Sequence, residues 1–299
     1  MVRLTLGRRQ MLVTSKFVLL NVPKSGSSFV REVIKAIYAG RSRKGPQFLG
    51  WTGFQKLIPP NRRTSPDLSL KELILPNIRL KGRPSDQHGT YSQVPREYRH
   101  LPVISVVRNP YEKLVSDFEF RWWSKYPPLP DLQRTFPAFP EISFDEFLQL
   151  SDLIATYKMG GRNPLQIGNL TVEFVQFFFP DPKSVLNKIS DDYICSSDFI
   201  KDMPCLWLLR QECLRDDLEA TLSGFGFSEE ELEICRRHPR VNETVARADD
   251  RAAYWTAPRV SRFNHRERFL LLMLQQLGFS YGPPASARCH SKSGPAGIG

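Results

Sequence analysis

The chain has 299 residues, 41% of them hydrophobic, enough for one large α/β domain or two small ones, and its composition excludes a wholly disordered or fibrous protein. Forty-two Lys and Arg against 31 Asp and Glu give a formal charge of +11, so anionic partners are expected: nucleic acid, a membrane surface, a nucleotide or an acidic glycan. Five cysteines (Cys195, Cys205, Cys213, Cys235 and Cys289) form an odd set without C-x-x-C spacing, which argues against a zinc site or a dense disulfide framework and for a reduced, intracellular setting.

The opening MVRLTLGRRQMLVTSK is basic but lacks an uninterrupted apolar run. No later stretch approaches the roughly 18 apolar residues of a membrane span. A soluble, cytoplasmic protein is therefore expected, with the Golgi lumen open only to a chain that has lost an N-terminal anchor. N-x-T sequons at Asn169 and Asn242 matter only in a secretory compartment.

From Phe17 to Tyr38, FVLLNVPKSGSSFVREVIKAIY, an apolar run ends in a Pro-Lys-Ser-Gly-Ser-Ser turn and resumes with amphipathic spacing: a strand, a tight loop and a helix. Residues 40–100 are rich in Arg, Pro and Gly and predict a loop-rich insertion. LPVISVVRNP predicts a buried strand closed by a turn, and YEKLVSDFEFRWW a helix after it. ISFDEFLQL predicts a helix capped by Ser143 with Glu146 three residues on. TVEFVQFFF predicts a buried aromatic helix. CLWLLRQECLRDDLEATLSGFGFS predicts a strand and then a helix ending at Gly224, with a new helix in SEEELEICRRH. NHRERFLLLMLQQLGFSY predicts the last helix, and residues 285–299 a loose tail. Strands alternating with helices imply one domain over residues 1–284, with a mainly parallel sheet covered on both faces.

Three clusters carry candidate chemistry. In the first, Lys24 to Phe29, the amides of Ser25, Gly26, Ser27 and Ser28 lie at a helix start, where the dipole favours an anion; Lys24 adds a charge and Ser27 and Ser28 add hydroxyls. An ordinary capped helix explains the same residues. In the second, VVRNPYEKLVS, Arg108 offers a planar fork for phosphate and Ser116 a hydroxyl on the following helix; an Arg-Asn-Pro turn bridged to Glu112 is the structural alternative. The third is QHGTYSQV, with His88. No His, Cys and carboxylate cluster has metal-ligand spacing.

VPKSGSS after one strand, followed by VVRNPYEKLVS after a later one, resembles the two nucleotide signatures of the sulfotransferases that use 3′-phosphoadenylyl sulfate (PAPS), especially their carbohydrate-type (heparan/chondroitin sulfotransferase-like) branch. LLRQECLRDDL is similar to a further strand-helix segment of that family, and RVNET and GFSY to its lid and closing segment, so the resemblance spans most of residues 16–282. Residues 40–85 and 121–170 match nothing in it.

The resemblance implies a P-loop-like three-layer fold. It also implies that Lys24, Ser25, Gly26, Ser27, Ser28 and Phe29 grip the 5′-phosphosulfate while Arg108 and Ser116 grip the 3′-phosphate, with adenosine 3′,5′-bisphosphate as product and no metal. Lys24 and His88 are the implied catalytic pair, His88 as base with Glu32 in reserve; Ser116 holds Lys24 back, and Asn242 and Thr244 close over the nucleotide. The implied acceptor is a hydroxyl of a glycan or small-molecule alcohol, with no nucleic acid partner. Trp122, Trp123 and Tyr126 are candidates for stacking on it, although a buried helix face explains adjacent Trp residues equally. The rival functions are a P-loop-type nucleotide kinase, which would want G-x-x-x-x-G-K-[ST], and a non-enzymatic polyanion-binding protein, for which GRSRKG and PNRRTSP are the basic runs.

Overall fold

Short, mostly apolar runs form strands β1 (Met11–Val13), β2 (Val18–Leu20), β3 (Lys71–Leu73), β4 (Val103–Val107), β5 (Leu206–Arg210) and β6 (Gly297–Ile298), in one sheet of order β3-β1-β2-β4-β5-β6. The structure is a computed structural model and describes residues 11–43, 69–76, 78, 88–241, 251–284 and 297–298. The longer helices are α1 (Ser27–Arg43), α2 (Pro110–Phe120), α3 (Phe144–Lys158), α4 (Asn169–Phe178), α5 (Leu214–Gly224), α6 (Glu229–Arg237), α7 (Ala257–Arg266) and α8 (Arg268–Gln276).

The central strands β2, β4 and β5 run parallel, with Val18 beside Val103 and Val103 beside Leu206. At the edges β1 pairs antiparallel with β2 and β3, and β6 with β5. β1, buried throughout, stands in the basic opening segment, where no strand is expected. Its connection to β2 is a four-residue turn closed by a Thr14 N–H to Phe17 carbonyl bond of 2.9 Å, too short for a parallel crossover. Much of the predicted insertion, residues 44–68, 77 and 79–87, lies outside the described residues; within it stands the edge strand β3.

Successive side chains of a strand face opposite sides of the sheet. Val18, Leu20, Val103, Val107, Leu206 and Leu208 accordingly join one core with α2, α3, α4 and α8. Leu19, Ile104, Val106 and Leu209 join the other with α1, α5 and α6. Each Val or Leu buried this way contributes about 1.5–3 kcal/mol, so the sheet is fixed from both faces as a three-layer α/β fold. Among the described residues no helix is long and apolar enough to cross a membrane.

Local signals set the helix ends. Glu146 N–H donates to Ser143 Oγ at 3.3 Å while Ser143 N–H donates to Glu146 Oε2 at 2.7 Å, the reciprocal cap expected for α3. The single helix expected over Asn264–Tyr281 is instead two, α7 and α8, broken at Glu267 and ending at Gln276. The break has a packing cause. Glu267 turns its buried carboxylate onto the start of α4 and accepts from Leu170 N–H at 2.9 Å, Thr171 N–H at 2.8 Å and Thr171 Oγ at 2.8 Å. A distant residue thus caps a helix whose own N-cap, Gly168, has no side chain to do so, and a Cβ at Gly168 would stand 2.2 Å from Glu267 Oε1.

Replacing Glu267 by Ala should strand three buried donors and lower unfolding free energy by about 1–3 kcal/mol in urea titrations. Burial pushes the Glu267 carboxyl up to about 7, above the ordinary 4.5, with the three donors opposing. The folded state therefore holds this proton more tightly, and its stabilising share is full below about 4.5 and lost as pH rises through about 7. Glu267→Ala should remove that slope.

Candidate functional site

All three parallel strands end at the same edge of the sheet, the place where open α/β sheets form crevices. β2 runs into the turn Asn21–Gly26, in which Lys24 (φ 56°) and Gly26 (φ 89°) are left-handed. For Lys24 that conformation costs about 1–2 kcal/mol. Ser25 and Ser27 hydroxyls both donate to the Val22 carbonyl, at 2.9 and 2.8 Å, and tie the turn to itself. Ser27 therefore spends its hydroxyl proton inside the loop, not on a ligand as expected. The amides of Gly26, Ser27 and Ser28 have no hydrogen-bond partner among the described residues, and Ser27 and Ser28 open α1. Unpaired amides at a helix start beside left-handed residues make a concave anion receptor. Phe29 differs: its amide donates to the Gly26 carbonyl at 2.9 Å and its ring packs under the Arg215 guanidinium.

Arg108 follows β4, and Asn109 caps α2 by accepting from Tyr111 N–H at 3.0 Å, with Pro110 at the first helical position. Arg108 Nη1 donates to the Lys24 carbonyl at 3.1 Å, joining the first two predicted clusters. Its Nη2 meets Glu112 Oε2 at 3.4 Å, the bridge that the structural alternative required, yet its buried Nε has no partner.

A second arginine, absent from the sequence reading, completes the group. Arg251 bridges Glu119 at 3.4 Å and Glu112 at 3.8 Å, and its Nε is likewise buried without a partner. Burial, and then the Arg251 charge, lower the pKa of Arg108. Burial also lowers that of Lys24, with Arg108 and Arg251 adding to it and Asp117 and Glu119 opposing. Buried cations whose Nε groups lack a partner favour a bound anion.

Ser116 is buried on α2, and no hydrogen bond joins Lys24 to it among the described residues. The Lys24 ammonium rests 4.0 Å from the centre of the Phe120 ring, which is 61% exposed. His88 Nδ1 lies 2.7 Å from the Asn21 carbonyl. A carbonyl only accepts, so Nδ1 carries the proton and the neutral ring keeps its lone pair on Nε2.

Other candidates stand apart. Glu32 is exposed on α1 and bridges Lys35 at 3.9 Å. Trp123 is fully buried and donates to the Pro140 carbonyl at 3.0 Å, which removes it as a stacking surface. Trp122 packs against the same core, whereas Tyr126 is half exposed. Asn242 and Thr244 lie outside the described residues. Among the described residues no three His, Cys, Asp or Glu side chains gather as a metal site.

No protein-family model matches the chain, and no curated protein matches it.

A Cβ on Gly26 would lie 3.2 Å from both Gln211 Cγ and Leu214 Cδ2, at a left-handed backbone position. Gly26→Ala should cost about 1–2 kcal/mol in thermal or urea unfolding, the penalty of a left-handed Ala. It should also weaken binding of sulfate or phosphate anions, read by calorimetry.

Proposed function

We propose that the chain is a PAPS-dependent sulfotransferase with a P-loop-like nucleotide site, moving a sulfuryl group to an acceptor hydroxyl of a glycan or small-molecule alcohol. The observation that carries this reading is the Arg108 Nη1 to Lys24 carbonyl bond of 3.1 Å, which brings the candidate 3′-phosphate arginine against the candidate 5′-phosphosulfate loop. The donor set suits such a ligand: three amides without partners and two buried Nε groups all donate, and PAPS offers acceptors at both ends.

PAPS supplies the activated sulfuryl group. Lys24 and the amides of Gly26, Ser27 and Ser28 hold the phosphosulfate and meet the charge that grows on the leaving phosphate oxygen. Arg108, with Arg251 beside it, orients the other end through the 3′-phosphate. His88, its tautomer set by the Asn21 carbonyl, takes the acceptor hydroxyl proton on Nε2 as the new oxygen–sulfur bond forms. Lys24 leaves its place over Phe120 to do its part, at the cost of about 0.5–1 kcal/mol of cation–π attraction.

Calorimetry should find adenosine 3′,5′-bisphosphate binding well above AMP and unaffected by DNA, and Arg108→Ala should weaken it by about 1.5–3 kcal/mol. Equal affinity for AMP, or preference for ATP, would turn the reading toward a kinase. In transfer assays with labelled PAPS against glycans and small alcohols, His88→Ala should lower turnover by roughly 10²–10⁴-fold while nucleotide affinity stays near wild type. Retained turnover would remove His88 from the chemistry.

A further inference from the structure

The turn after β5, residues Gln211–Leu214, touches both anion-binding segments. Gln211 Cγ and Leu214 Cδ2 wall the Gly26 position, each 3.2 Å from where a Cβ would stand. Glu212, between them, reaches the other segment: its Oε1 accepts the Asn109 N–H at 2.8 Å. Asn109 directly follows Arg108, and its side chain is engaged twice more, accepting from Tyr111 N–H at 3.0 Å and donating to the Gly282 carbonyl at 3.0 Å. The turn itself is held rigidly. Arg210 donates to Asp217 from its backbone N–H at 2.8 Å and from Nε at 2.9 Å, and a third bond from Nη2 measures 2.6 Å.

We infer that Glu212 is a positioning residue that sets the spacing between the Lys24–Ser28 loop and Arg108, and so makes the site selective for a nucleotide carrying phosphates at both ends. The inference rests on the proposed PAPS site. A carboxylate on the Asn109 amide fixes the peptide from which the Arg108 side chain departs, while the neighbours of Glu212 fix Gly26. A ligand that spans both segments gains from that fixed spacing, and one that occupies only the loop does not.

The test compares adenosine 3′,5′-bisphosphate with AMP by calorimetry in the wild type, Glu212→Ala, Glu212→Met and Glu212→Gln. Met keeps length and bulk without an acceptor; Gln keeps an acceptor oxygen without charge. Glu212 is exposed, so these changes spare the core. The bisphosphate-to-AMP affinity ratio should fall about tenfold in Ala and Met, through the bisphosphate alone, and recover most of the way in Gln. An unchanged ratio in Ala and Met, an equal loss of both nucleotides, or no recovery in Gln would overturn the inference. A wild-type ratio near one would instead remove the PAPS reading beneath it.

Discussion

The Arg108 guanidinium on the Lys24 carbonyl is the contact on which the rest of the site depends. It crosses from the end of β4 to the end of β2, between residues 84 positions apart in sequence. Without it the Ser-Gly-Ser-Ser loop is a helix start like many others, and Arg108 is one half of a bridge to Glu112. With it, the Arg108 guanidinium is held against the backbone of the loop that carries Lys24 and the partnerless amides, and Arg251 shares the Glu112 carboxylate with Arg108. Taking these cations out of water is costly, and Glu112 and Glu119 offset only part of the cost, since both arginines keep a buried Nε without a partner.

The surrounding charges hold this arrangement still. On α2, Lys113 bridges Asp117 at 2.9 Å and Glu173 at 3.1 Å, and Lys158 reaches Glu173 at 3.4 Å, so α2, α4 and α3 share one network. Burial raises the pKa of Asp117, with Lys113 opposing. Burial by itself would lower that of Lys113, but Asp117 and Glu173 outweigh it and raise it. Each partner favours the charged form of the other, and α2 cannot shift without breaking a buried pair. Glu267 does the same for α4 from the far end of the chain.

The strand-loop-helix units were legible because their signals are local. FVLL and VISVV become strands, Pro110 and Asn109 start α2, and Ser143 with Glu146 caps α3, all within a few residues of the cause. β1 was hidden because three apolar residues beside a basic run give too short a period to detect. The break at Glu267 was hidden because its cause is helix α4, 96 or more positions away. In the site, Lys24, Arg108 and His88 were named from motifs, but the bonds that give them meaning are long-range. Arg251 carried no motif at all: its partner Glu119 is 132 positions earlier. Ser27 was half legible, since its amide opens α1 without a partner among the described residues while its hydroxyl serves the loop.

The central claim is that the Gly26–Ser28 amides and the Arg108 fork form one anion site. Nuclear magnetic resonance of the ¹⁵N-labelled protein tests it most directly, by following the amides of Gly26, Ser27 and Ser28 together with Arg108 Nε–H as adenosine 3′,5′-bisphosphate is added. The account predicts that all four signals move and saturate along one binding curve, as groups meeting a single ligand must. Signals that stay in place, or loop and Arg108 signals that saturate at separate concentrations, would contradict it.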